Sequence, residues 1–250
     1  MTDSTSQQSS LPVVHIKASQ GWAPLSLGEL WSYREVVYFL TLRELKARYK
    51  QTVLGAAWAV LQPIVQMVIF TVIFGRVAKL PSDGIPYPIF SFAALVPWTF
   101  FANSVTKASL SLVSGSNMVS RIYFPRLALP LASIMATTLD FALAFLVLLA
   151  LMVAYGTVPT ANVIWLPFLL VLAVATAMGV SFALAALNVQ FRDVKHVVPF
   201  LIQTWMFATP VVYPASMIKD PFWSVIYALN PMVGVIEGFR WALLGTETAP

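Results

Sequence analysis

Trp58, Gln62 and Gln66 recur every four residues, so one helix face carries all three. Such a face can line a polar conduit, since buried amides in an apolar run need partners or water. The same pattern also suits packing, with the glutamines satisfying a backbone kink at Pro63 and meeting a neighbouring helix. Asp140 is the one acid deep inside an apolar run. A carboxylate in such a place is costly unless protonated or partnered. Ion coupling is one reading of Asp140; a hydrogen bond to a neighbouring helix is the favoured one.

The groups needed for bond-breaking chemistry are missing. There is no G-x-x-x-x-G-K-[ST], no H-E-x-x-H, no G-x-S-x-G and no pair of carboxylates inside the apolar runs. His15 and His196 lie far apart and are expected to be solvated. Cysteine is absent, which excludes a disulfide framework and a thiolate metal site. No catalytic residue and no metal-ligand set is assigned. A membrane enzyme needs acid–base groups beside its substrate, and an ion-driven transporter usually needs several intramembrane acids or an unwound site. What remains is a conduit powered from elsewhere.

The composition places these residues in a membrane. Hydrophobic residues make up 59% of the chain and charged residues 10%, against about 25% charged in an ordinary soluble domain. Mean hydropathy is +0.80. The net charge of +5 does not indicate nucleic acid, because the basic residues flank apolar spans instead of gathering on one polar domain. Residues 1–25 are polar, lack the apolar core of a secretory signal, and are expected to form a disordered cytoplasmic tail.

Residues 26–250 read as one membrane domain. Ser26 and Glu29 fit a capping box opening an amphipathic helix, with Leu27, Leu30, Trp31, Val37, Leu42 and Leu45 as its apolar positions. That helix is expected to lie on the inner membrane face or against a partner; the alternative is a plain surface helix packed on protein. A collar of Arg43, Lys46, Arg48 and Lys50 then precedes an uncharged run over 53–75. Further spans are expected over 87–112, 127–154, 163–187 and 197–213, the last broken by Pro199 and Pro210. Small residues Ala173, Ala175, Ala177, Gly179 and Ala183 permit close contact along the fourth. Short helices over 221–229 and 232–244 are expected to dip into the outer leaflet. Of the fifteen Lys and Arg residues, Arg76, Lys79, Lys219 and Arg240 fall on the outer side of this topology and the rest on the inner side. That bias puts the N-terminus in the cytoplasm. The fold class is therefore all-α: a polytopic helical membrane protein with an N-terminal amphipathic helix, five readable spans and outer re-entrant helices.

Four strings then carry a resemblance. RYKQTVLGAAWAVLQP (48–63), RIYFPRLALPL (121–131), FRDV (191–194) with TPVVYP (209–214), and LNPMVGVIEGFRWALLG (229–245) occur in this order. Together they resemble the permease subunit of type-2 ATP-binding-cassette exporters, nearest in kind to those that move O-antigen, capsule or teichoic acid chains. The likeness covers about residues 28–245. It implies a bacterial inner-membrane protein whose domain is an ABC transporter type-2 transmembrane domain. It also implies a homodimer of permeases with the conduit at its seam, and a lipid-linked glycan as cargo in the bilayer. The first and fifth spans are the implied conduit walls, so Trp58, Gln62, Gln66, Phe70, Phe74, Gln203, Trp205, Phe207 and Tyr213 become candidates to stack on sugar rings or bond hydroxyls, with ordinary packing expected for at least half of the aromatic ones. ATP and Mg would be used by a separate nucleotide-binding ATPase subunit, and no cofactor is bound by this chain. The 116–126 segment, with Arg121, Tyr123, Phe124 and Arg126, is implied to be a coupling helix. Arg192 and Asp193 sit in the matching turn between the fourth and fifth spans; turn structure and topology alone could also account for them. The family has six spans with both ends inside, whereas five are read here and Pro250 falls outside. Two alternatives stay open: a type-2 exporter of lipids or drugs, and a membrane enzyme acting on lipid-linked sugars.

Overall fold

The computed structural model describes residues 27–50, 57–218 and 220–246. The tail over 1–25 and the Ser26 cap lie outside the described residues, as do His15 and the first residues of the 53–75 run. Helices α1 (Leu27–Ser32) and α2 (Arg34–Tyr49) form the amphipathic segment, bent at Tyr33. Leu30 and Leu40 turn inward, whereas Trp31, Tyr38 and Phe39 stay exposed.

The first span is α3 (Ala57–Phe70) running into a π-helical stretch, Thr71–Val77. Pro63 sits inside α3 without ending it; the change of winding comes a turn or more later. Only 17% of the most apolar stretch of this span is buried. Helix α4 (Tyr87–Ser114) is the opposite case, with 78% buried. Apolar residues surround it on every side, the signature of a helix enclosed by others. Ala93, Ala94, Ala108, Ser104 and Ser109 let its neighbours approach closely. The aromatic run Trp98, Phe100 and Phe101 is buried there as packing.

A four-residue helix, α5 (Ser116–Val119), and an irregular stretch lead to α6 (Ala128–Ala154), which packs on both α4 and α2. A 3₁₀ turn, Ala161–Trp165, opens α7 (Leu166–Gln190). The buried positions of α7 are Leu169, Ala173, Ala177, Ser181, Ala185 and Asn188, nearly all four residues apart. This stripe of mostly small side chains faces α4, and the Asn188 amide donates to the Ser109 carbonyl at 2.9 Å. Of the small residues singled out in the fourth span, Ala175, Gly179 and Ala183 lie on its exposed side instead.

Among the described residues, four helical runs are long and apolar enough to cross a membrane: Ala57–Val77, Tyr87–Ser114, Ala128–Ala154 and Ala161–Gln190. The span expected over 197–213 is shorter than anticipated. Helix α8 (Val194–Phe207) stops at Phe207, after roughly 21 Å of rise. Pro199 is accommodated within α8, while Pro210, lacking an N–H, falls in the irregular stretch that follows. Helices α9 (Pro221–Ala228) and α10 (Pro231–Leu244) then form a pair bent by 93°. Their boundaries fall close to the two short helices expected there. Asp220 accepts from the backbone of Phe222 and Trp223, and Asn230 from that of Met232, so each helix begins on a side-chain cap.

Candidate functional site

Asp140 has partners. Arg48 and Tyr49, the last two residues of α2, both hydrogen-bond its carboxylate. The Lys107 ammonium on α4 lies 3.7 Å from it, and Glu44 lies 3.9 Å from Arg48. The favoured reading of Asp140 thus matches the geometry, with an ion pair added. Two of those partners come from positively charged residues that topology alone would leave at the membrane edge. Burial first, then the hydrogen bond to Asp140, pushes the Tyr49 hydroxyl up to about 12. It therefore remains a donor across the physiological range.

These groups border a cavity of about 270 Å³, whose lining includes Trp58, Gln62, Phe100 and Asn103. Trp58 and Gln62 thus share one wall, as their spacing implies. Gln66, a turn further on, donates instead to the Met206 sulfur at 3.5 Å and links the first span to α8. Phe70 is buried and meets Phe74 edge-on at 5.5 Å, so Phe70 belongs to the core of this chain.

Trp205 packs edge-on against Phe101 at 5.1 Å. Beyond it, a second cavity of about 800 Å³ brings Trp205 together with Tyr213, Trp223 and Tyr227. The Tyr227 hydroxyl donates to that of Tyr213 at 3.1 Å, and the Tyr213 hydroxyl donates to the Phe207 carbonyl at 3.0 Å. Phe207 and Gln203 are exposed. Trp223 and Tyr227 carry no motif and escape sequence reasoning. They reach this wall because α9 borders the same cavity as the end of α8.

The residues expected to couple do not all face outward. Arg121, Tyr123 and Arg126 are exposed, and so are Arg192 and Asp193. Phe124 is buried with Leu30, Leu40, Ala128, Leu129 and Ala132. It therefore anchors this segment to the amphipathic helices and α6. Tyr123 donates to Glu29 at 3.1 Å, and Arg43 approaches the Met118 sulfur at 3.3 Å. The 116–126 segment and the α1–α2 segment are thereby held as one surface.

Residues 35–244 match the ABC-2 type transporter family. The chain belongs to that family. It is 35% identical to an O-antigen export system permease protein, RfbA, of Myxococcus xanthus, over 85% of this chain and 81% of that protein. An RfbA of Klebsiella pneumoniae is 31% identical over 82% of this chain and 79% of its own. The polysialic acid transport protein KpsM of Escherichia coli is 25% identical over 82% of this chain and 80% of its own.

This ABC-2 chain also holds a buried charge whose burial its sequence does not mark. Arg240 counts as an outer-side cation by topology, yet its side chain is 0% exposed. The guanidinium lies 3.7 Å over the Phe90 ring. It donates to the carbonyls of Phe90 (3.3 Å), Val211 (2.9 Å) and Tyr213 (3.4 Å), and to Glu237 at 3.1 Å. Glu237 also accepts from the Ala215 amide at 3.3 Å, and the Tyr87 hydroxyl donates to the Val212 carbonyl at 2.7 Å. The physical reason is the early end of α8. Where the helix stops, carbonyls lose their internal donors, and an apolar setting offers no water to replace them. The E-x-x-R spacing in IEGFR was the available signal, since residues three apart on a helix can pair.

Proposed function

We propose that the chain is the membrane-spanning permease subunit of an ATP-driven exporter moving a lipid-linked polysaccharide across the bacterial inner membrane. Its similarity to O-antigen export permeases over about four-fifths of each chain carries this reading. The absence of any P-loop in the sequence agrees with it, because the energy must then come from a separate ATP-binding subunit. Two copies of the chain would pair, with α3 and α8 at the seam, the N-terminus in the cytoplasm, and α1–α2 with the 116–126 segment meeting the ATPases.

The geometry suits weak, repeated contact with a glycan. Trp58 and Gln62 stand at one cavity, and Trp205, Tyr213 and Tyr227 at the other. Aromatic faces gripping sugar rings at two stations would favour passage over retention. The test is export of the glycan by cells carrying the complete exporter. Trp58→Ala and Trp205→Ala should each lower export while leaving the amount of folded permease unchanged. Unchanged export in both would remove the sugar-stacking role. Failure to co-purify an ATPase carrying a P-loop would remove the exporter reading itself.

A further inference from the structure

Ionisable side chains from three helices converge on the inner cavity: Arg48 and Tyr49 from α2, Lys107 from α4 and Asp140 from α6. Asp140 lies twelve positions after Ala128, about 18 Å along its helix. A carboxylate that far inside a span carries a cost that selection for stability alone would avoid. The first span gains little hold from the bundle, since only 17% of its most apolar stretch is buried. It packs on α4 and α6, and the helix that leads into it ends at the same cavity that Trp58 and Gln62 border. That helix ends at Tyr49, and α3 begins only eight positions later, at Ala57.

We propose that Asp140 is a positioning residue for the first span. Through Arg48 and Tyr49 it fixes where α2 ends, and so sets the angle at which the wall bearing Trp58 and Gln62 meets the cavity. The carboxylate also separates two cations. Without its charge, Arg48 and Lys107 share a half-buried space in which Glu44, 3.9 Å from Arg48, offsets only part of their repulsion. Loss of Asp140 thus does more than delete a bond: it drives the tip of α2 away from α4 and α6. Movement imposed on α2 from the cytoplasmic side would pass to the first span only while this tie holds. The assignment rests on the geometry and on family membership, not on the chemistry of the cargo.

The chain has no cysteine, so spin-labelled pairs can be introduced without background. A pair at Ala47→Cys and Met135→Cys reports the α2 tip against α6. A pair at Val113→Cys and Leu187→Cys reports α4 against α7 and serves as the control. Both are read by pulsed dipolar spectroscopy on the whole chain in lipid nanodiscs, with labelled copies diluted in unlabelled ones. Asp140→Asn, which preserves shape, should lengthen and broaden the first distance and leave the control unchanged. Asp140→Glu, and Lys107→Met added to Asp140→Asn, should each restore one narrow distance. In the complete exporter, Asp140→Asn should lower export about tenfold or more, the scale set by removing one partner of a half-buried ion pair. An unchanged first distance in Asp140→Asn overturns the proposal. So does a control pair that broadens in step with it, or a distance that Lys107→Met fails to restore. The distance readings need no cargo, so failure of the glycan reading alone would leave them intact.

Discussion

Arg240 shows what a buried charge needs in order to survive. Its guanidinium is surrounded by the carbonyls of Phe90, Val211 and Tyr213, the Glu237 carboxylate and the Phe90 ring. Each contact satisfies either the charge or a carbonyl that the broken helix left open. Arg240→Met should therefore destabilise the purified protein by about 3–5 kcal/mol, the range for breaking a buried pair by removing one partner. Arg240→Lys should recover only part of that loss. A single ammonium cannot reach three carbonyls at once, as the planar fork does. Thermal denaturation in detergent measures both. The E-x-x-R spacing was visible in the sequence. Its burial was not, because the carbonyls that require it come from residues 27 or more positions away.

At the scale of elements, two joints decide how the pieces move together. The first is Phe124, packed among Leu30 and Leu40 of the amphipathic segment and Ala128, Leu129 and Ala132 of α6. Phe124→Ala should cost about 3–5 kcal/mol, the range for emptying a buried aromatic site. It should also free the 116–126 segment, seen as faster proteolysis at Arg121 and Arg126. The second joint is Gly238, where α10 seats on α7. A Cβ built there would stand 2.5 Å from Leu169 Cδ2, and Leu169 is itself buried. Gly238→Val should wedge the two helices apart and lower stability by about 1–3 kcal/mol. Helix existence and approximate ends were legible at this scale from apolar run length and caps such as Asp220 and Asn230. The early stop of α8 was not, because Pro210 lies past a break that hydropathy alone does not register.

For the whole molecule, the unequal cover of its helices is the main fact. Helix α4 is enclosed, while α3 exposes Leu61, Val65, Val68 and Ile69, and α8 exposes Val197, Phe200 and Leu201. Such surfaces suit lipid or a second copy of the chain. The charge bias predicts which side each loop occupies. Cysteines placed at Arg121 and Arg192 should react with a membrane-impermeant thiol reagent only in inverted vesicles, and one at Gly156 only in intact cells. Reaction of the first two in intact cells would invert the topology. The purified chain alone should hydrolyse no ATP.

The sequence by itself determined that this is a polytopic helical membrane protein, where most of its helices run, and which family it joins. Apolar run length and flanking charge are local quantities, and the four strings that carry the resemblance are contiguous. Only the tertiary structure decided which helix lies at the centre. The enclosed α4 has the least hydrophobic window of the four spanning runs, because its serines and small residues face neighbouring helices while more apolar helices face outward. The structure likewise decided that Asp140 is partnered and that Arg240 is buried, since Asp140 meets Arg48 across 92 positions and the Tyr213 and Val211 carbonyls lie 27 and 29 positions from Arg240.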